Sequence, residues 1–239
     1  MIFIGTSGFT YKHWKNRFYP EEIPAKKWLE YYTLYFNTVE LNATFYRIPK
    51  STTAENWRER TPPGFRFSVK LSRLITHVHR FENCAEIIQW FFRELEPLNE
   101  KIRVYLVQFP PSFICSEEKM KNVIALLPSD CAYAFEFRNK TGYEKSIIDL
   151  LADYNIGFCI HDFPHCESPE IVTSDFAYLR FHGYRSRYAG SYPDAFLAGW
   201  ADKINSWVKA GKDILAYFNN DADASAIANA STLKKLTGS

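Results

Sequence analysis

The sequence predicts an α/β fold: a closed parallel (β/α)8 barrel, TIM-barrel-like, built as a single domain over residues 1–239. Three observations carry this reading. Eight short β-branched or aromatic runs recur along the chain, each ending in polar residues. Helical patterns fill all but one of the connections. No linker, composition shift, internal repeat or low-complexity tract divides the chain. An open doubly wound sheet would alternate in the same way, but no Gly-x-Gly-x-x-Gly fingerprint follows any run.

The strand runs are "IFIG" (2–5), "NTVEL" (37–41), "RFSVK" (66–70), "RVYLVQF" (103–109), "AYAFEF" (132–137), "IGFCIH" (156–161), "AYLRFH" (177–182) and "ILAYFN" (214–219). Between the first two, "AKKWLEYYTLYF" follows Pro24, a residue suited to a first helical turn. "TAENWRER" is a helix candidate opened by a Thr-x-x-Glu capping box, Thr52 to Glu55. "AEIIQWFFRELEPL", "SEEKMKNVIALL", "YEKSIIDLLADY" and "AFLAGWADKINSWVKAG" repeat apolar residues every three or four positions, and "ASAIANASTLKKL" closes the chain. Only the sixth connection, "DFPHCESPEIVTSD", lacks a helical pattern.

Composition bounds the function classes. The chain is 46% hydrophobic and 23% charged, which is globular, and a formal charge of +2 makes it a poor general binder of nucleic acid. Its five cysteines are scattered and form no C-x-x-C, so they read as buried or free thiols in a reducing cytosol. The start "MIFIGTSG" has no basic region and is too short for a signal peptide. No apolar run reaches membrane-spanning length. A cytoplasmic protein without membrane association is expected; oligomeric state is not legible.

Side-chain parity then locates a site. Alternate residues of a strand share a face. In the fifth run Ala132, Ala134, Glu136 and Arg138 lie opposite the bulky Tyr133, Phe135 and Phe137. Bulky side chains suit the helix-covered outside, so Glu136 and Arg138 are expected to point into the barrel. The same rule groups Thr38 with Glu40 and Asn42, Ser68 with Lys70, and Leu106 with Gln108. It also groups Ile160 with Asp162, Tyr178 with Arg180 and His182, and Leu215 with Tyr217 and Asn219. Polar ends of at least seven runs would thus meet at one mouth, where barrel enzymes carry their chemistry.

Further motifs carry a resemblance. "GTSGFTYKHW", "FYPEEIP", "YYTLYFNTVELNATFYRIP", "RFSVKLSRLITH", "QFPPSF", "FEFR", "YLRFHG" and "AYFNND" resemble, in order and over essentially the whole chain, the motifs of the YecE-like family, domain of unknown function 72. The resemblance implies a TIM-barrel-like fold and no particular reaction. "GTSGF" stands where the family more commonly has Trp after the glycine, and "RNKTGY" replaces an Arg-His-x-x-Trp run. Ligand shape beside the first and fifth strands is therefore expected to differ.

The expected catalytic set is Glu40, Glu136, Asp162 and His182, since carboxylates and imidazoles serve as acid and base when their pKa values are pushed apart. The expected substrate-binding set is Thr6, Ser7, Asn42, Tyr46, Lys70, His77, Gln108, Arg138, Arg180, Asn219 and Asn220. Three cations, Lys70, Arg138 and Arg180, favour a small anionic ligand bearing phosphate or carboxylate. Glu136–Arg138 and Asp162–Arg180 could instead neutralise each other as buried pairs. Lys70 could form a Schiff base, although placement alone does not lower its pKa. No metal or cofactor is expected: Cys159, His161, Asp162, His165 and Cys166 in "CIHDFPHC" lack zinc spacing, as do His77 and His79. The expected function is acid–base catalysis on an anionic small substrate. The alternative is non-catalytic binding of nucleotide or nucleic acid by Phe45, Tyr46, Phe113, Tyr184 and Tyr188 with Arg47, Arg185 and Arg187, including the loop "HGYRSRYAGSY".

Overall fold

A computed structural model describes residues 1–164, 166–184 and 188–239, so the expectations for His165, Arg185 and Arg187 lie outside the described residues. The eight runs are eight strands: β1 (Ile2–Thr6), β2 (Thr38–Leu41), β3 (Arg66–Lys70), β4 (Ile102–Phe109), β5 (Tyr133–Phe137), β6 (Gly157–His161), β7 (Phe176–Phe181) and β8 (Asp213–Phe218). All ladders are parallel, in the order β1-β8-β7-β6-β5-β4-β3-β2. The helices are α1 (Trp28–Tyr32), α2 (Ala43–Tyr46), α3 (Ser51–Glu59), α4 (Ala85–Leu95), α5 (Glu117–Leu126), α6 (Lys145–Asp153), α7 (Asp194–Lys209) and α8 (Ser225–Thr237).

The join between β1 and β2 closes the barrel without a ladder. Only Ser7 and Glu40 bridge across it, with the Gly8 amide donating to the Glu40 carbonyl at 2.8 Å. Below that bridge, α1 inserts the Tyr32 phenol. Its oxygen accepts from the Thr6 amide at 2.9 Å and lies 3.1 Å from the Thr38 carbonyl, to which it donates. These two backbone groups would otherwise be orphaned in a buried place. Gly5 fits here because a Cβ would stand 2.3 Å from the Thr38 carbonyl oxygen.

Two apolar layers hold the barrel. Outward residues such as Val39, Val69, Val107, Phe135, Ile160 and Leu179 pack beneath the helices. Inside, Phe3, Val104, Leu106, Ala134, Cys159, Phe176, Tyr178, Leu215 and Tyr217 fill the interior. Tyr217 carries its hydroxyl into that interior, where it meets the hydroxyls of Thr38 and Ser68, each at 2.8 Å. The first connection is pinned by aromatic rings: Tyr19 stacks on Trp28 at 4.4 Å, and the Trp14 indole donates to the Asp221 carbonyl at 2.9 Å.

One local expectation is corrected, and two short elements were not foreseen. The Thr52–Glu55 capping box does not form, because α3 starts two residues earlier, at Ser51, with Lys50 rather than Thr52 at its cap. Glu94 of α4 takes over, accepting from the Ser51 amide at 2.7 Å and from its hydroxyl. The short helix α2 and a wide turn over Leu74–Val78 were not legible as elements, since neither is long enough to show a period. Ser116, by contrast, does cap α5, accepting from the Lys119 amide. As expected, no helix spans the sixth connection among the described residues. That leaves a cleft of about 390 Å³ on the outer wall between β6, β7 and α7. No helix in the described residues is long and apolar enough to cross a membrane.

Candidate functional site

Above the interior apolar layer, one polar layer spans the C-terminal mouth. β7 supplies Arg180, which is 1% exposed and is the hub. Its guanidinium donates to Glu136 on β5 at 2.5 Å and to Glu40 on β2 at 2.8 Å, and reaches the Ser7 hydroxyl at 3.3 Å. Glu40 also accepts from Ser7 and, at 2.7 Å, from the Tyr178 phenol. The Asn42 amide donates to Ser7 at 2.5 Å. On β4, Gln108 turns its amide nitrogen to Glu136 at 2.8 Å and its oxygen to the Lys70 ammonium at 3.1 Å. Arg138 pairs with Glu136 and lies 3.6 Å over the Phe163 ring. Lys70 lies 4.2 Å over the Phe45 ring, and His77 packs edge-on against that ring at 5.0 Å.

The two imidazoles of the layer are in different tautomers. His182 Nε2 stands 2.9 Å from Arg138 and 3.2 Å from Arg180. Both neighbours are obligate donors, so Nε2 carries the lone pair and the proton sits on Nδ1. His161 Nε2 faces the Phe137 carbonyl at 3.0 Å, while its Nδ1 accepts from the Phe163 amide at 3.3 Å, so its proton is on Nε2.

Burial and charge set the protonation of this layer. Burial penalises charge on Glu136, but Arg138 and Arg180 outweigh it and hold the carboxyl well below the usual range. Burial, then Arg180 and Arg138, push His182 well below an ordinary imidazole, and burial pushes His161 down to about 4. Burial, helped by Arg180, pushes Lys70 down to about 7. Burial raises Asp162. His77, at the rim, is pushed down to about 4 by burial and by Lys70 and Arg73.

Acid sensitivity follows with a definite sign. Unfolded His161 takes up a proton as pH falls through about 6.5, whereas the folded imidazole stays neutral until about 4. The unfolded chain therefore binds more protons in that window, and stability drops as pH falls through it. Glu136, depressed in the fold, extends the loss below about 4.5. The midpoint of urea unfolding is expected to move down steadily between pH 7 and 4; a flat midpoint would contradict neutral burial of His161.

The expected residues are thus brought together unevenly. Ser7, Glu40, Asn42, Lys70, Gln108, Glu136, Arg138, Arg180 and His182 form one connected layer, and Asn219 (8% exposed) has the same inward parity at the end of β8. Four placements are corrected. Thr6 faces outward and contacts Tyr32 and the Gly8 carbonyl, because β1 turns Phe3 and Ser7 inward instead. Asn220 is held outside the layer by the Gly190 carbonyl and Asn229 of α8. Tyr46 is 72% exposed, and its neighbour Phe45 faces Lys70 in its stead. On β6 the inward residues are Cys159 and His161, not Ile160 and Asp162.

Asp162 lies past the strand end. It accepts from the His182 amide at 2.7 Å and from the Tyr192 phenol, and its carboxylate stands 3.6 Å from His182 Nδ1. Arg180 therefore pairs with Glu40 and Glu136, not with Asp162, while the Glu136–Arg138 pair is present. Phe113 is buried against Phe109 in the outer core, where it cannot stack a base at the mouth. Tyr178, His161 and Phe163 border the site and were absent from the expected catalytic and substrate-binding sets, and Phe45 was expected only as a base-stacking candidate. For β6 the signal was present: Phe158 and Ile160 are its bulky residues, so the rule used on β5 assigns His161 inward. Among the described residues no three His, Cys, Asp or Glu side chains converge to hold a metal ion.

The architecture and the polar layer define a parallel (β/α)8 barrel with a charged mouth. The chain belongs to the family described as Protein of unknown function DUF72, whose model matches residues 3–239. It is similar to the UPF0759 protein YunF of Bacillus subtilis (strain 168), at 28% identity over 99% of this chain and 94% of that protein. The UPF0759 protein YecE of Escherichia coli (strain K12) is 30% identical over 61% of this chain and 51% of its own length. Among solved structures, a DUF72 family protein from Thermotoga maritima MSB8 superposes with a TM-score of 0.90, at 31% identity and full coverage of both chains. One from Enterococcus faecalis V583 shares the fold at a TM-score of 0.85 and 22% identity, over all of this chain and 96% of that one.

Proposed function

We propose that the mouth binds a small substrate carrying a carboxylate or phosphate and moves a proton on it. The observation that carries this reading is Arg138. Its side chain is 7% exposed, one arm engages Glu136 and His182, and the other nitrogen, Nη1, is buried with no hydrogen-bond partner among the described residues. A buried guanidinium arm without an acceptor is costly, and a ligand oxyanion would satisfy it. Asn219, buried just past the end of β8, has no side-chain hydrogen bond to the described residues and is a second polar group offered to a ligand.

The proton-transfer group that fits best is Lys70, whose pKa of about 7 matches neutral-pH acid–base work. Glu136 stays ionised beside two guanidinium groups, and Glu40 is engaged by Arg180, Ser7 and Tyr178. These two carboxylates are better suited to holding the cations in place. His182, neutral with a lone pair between two arginines, orients Arg138.

Calorimetric titration with inorganic phosphate and pyrophosphate tests the anion site. Arg138→Lys keeps a charge beside Glu136 but loses the second arm, and is expected to weaken binding by about 1.5–3 kcal/mol. Unchanged affinity would remove Arg138 from the site. Salt separates the competing class: a pocket for one small anion loses affinity gently with salt, whereas steep loss with a single-stranded oligonucleotide would favour backbone binding.

A further inference from the structure

Two lysines are buried among the described residues, and they are buried differently. Lys101, 7% exposed, lies at the other end of the barrel wall. Four oxygens surround its ammonium within 3.2 Å: the carbonyls of Arg58, Thr61 and Pro62, and the Thr61 hydroxyl. That shell satisfies every N–H and marks a structural cation. Lys70, 8% exposed, has one hydrogen-bond acceptor, the Gln108 oxygen, and an aromatic face beneath it. It makes no ion pair among the described residues: the carboxylates of its own layer are engaged by Arg138 and Arg180.

The arrangement suits an amine better than an ammonium. Gln108 is locked by donating to Glu136, so its oxygen, not its nitrogen, must face Lys70. One N–H is thereby anchored, and the nitrogen is aimed by its strand and by Phe45. Once neutral, it presents a lone pair. Burial and the neighbouring Arg180 make the neutral form accessible near pH 7. Arg138 stands two hydrogen-bonding partners away through Gln108 and Glu136, on the same layer, with its free arm.

We propose that Lys70 is a nucleophile that forms an imine with a small aldehyde or 2-oxo acid, whose anionic group meets Arg138. This rests on the reading of the mouth as a small-anion site. The Lys70 lone pair forms a C–N bond as the carbonyl π pair moves onto oxygen. The nitrogen loses a proton and the oxygen gains one, giving a neutral carbinolamine. A second proton on that oxygen lets the C–O bond break, water leaves, and the nitrogen lone pair closes the C=N+ bond. The proton lost by the nitrogen goes to the oxygen, and the second proton comes from water that enters the mouth with the substrate. No oxidant or reductant is consumed, and the iminium then draws electrons from the adjacent carbon, as amine nucleophiles of this kind do.

The test uses the intact protein with glyoxylate and sodium borohydride, followed by peptide mapping. The expected result is a carboxymethyl group on Lys70, formed at least tenfold faster than on any other lysine at pH 7.5, suppressed by inorganic phosphate and absent from Lys70→Arg. Labelling spread evenly over the lysines, or absent from Lys70, while phosphate still binds by calorimetry, overturns the imine and leaves the anion site standing. Labelling at Lys70 that phosphate does not slow, with no phosphate binding, overturns the anion site and leaves the nucleophile. Because the wild-type peptide map decides, a variant that fails to fold does not blunt the test.

Discussion

Arg180→Ala is expected to lower the free energy of unfolding by about 3–5 kcal/mol, the range for breaking a buried ionic pair by removing one member. Arg180 is the counter-charge of two carboxylates, Glu40 and Glu136, both 0% exposed. Removing it leaves Glu40 with only the neutral donors Ser7 and Tyr178, and leaves Glu136 to Arg138 and Gln108. Urea unfolding at pH 7 measures the loss. Adding Glu40→Gln to Arg180→Ala is expected to recover part of it, because the uncompensated charge goes with it. A loss below about 1 kcal/mol, with no recovery in the double variant, would mean that the hub contributes little to holding the layer.

Lys70→Met is expected to act the other way, stabilising the fold while abolishing turnover and imine trapping. The amine falls from an ordinary 10.5 to about 7 on folding, mainly through burial. Between those values the unfolded chain holds a proton that the folded one does not, so stability rises with pH across the window. The cost of Lys70 is therefore fully present below pH 7 and fades as pH climbs toward 10.5. Set against the lost Gln108 bond and the contact with Phe45, the net gain for methionine at pH 6 is about 2–4 kcal/mol. The gain should shrink between pH 7 and 10 in parallel urea series. A variant less stable than wild type at pH 6 would show that Lys70 is well satisfied as a cation.

The strands were legible because parity and bulk agreed. On β5 the large Tyr133, Phe135 and Phe137 alternate with Ala134 and Glu136, so the inward face could be read directly. The Glu136–Arg138 pair was legible for the same reason, two residues apart on one face. The partnership of Arg180 with Glu40 was not, since it crosses the barrel between residues 140 positions apart. On β6 the parity was counted from Asp162, beyond the strand, where the chain has already left the pleat. Thr6 was not read by parity at all: Phe3 faces the interior on β1, so Ser7 shares its face and Thr6 turns out to Tyr32. The Thr52–Glu55 signature was chemically sound, but Glu94 of the neighbouring helix offered a competing cap that no local spacing reveals.

The unladdered join between β1 and β2 gives the wall a direction of least stiffness. The other seven neighbours are laced by parallel ladders, whereas β1 and β2 share a single backbone bridge, backed by the Tyr32 phenol and by side-chain bonds from Ser7, Asn37 and Asn42. Widening the hoop there breaks the fewest backbone hydrogen bonds, and the staves that part are those bearing Ser7 and Glu40. Strain imposed at the mouth is expected to be relieved first along this one diameter, where a single bridge holds the wall. The hydroxyl of Tyr32 is then a clasp fastened from outside the barrel, and its hold sets how far the rim yields.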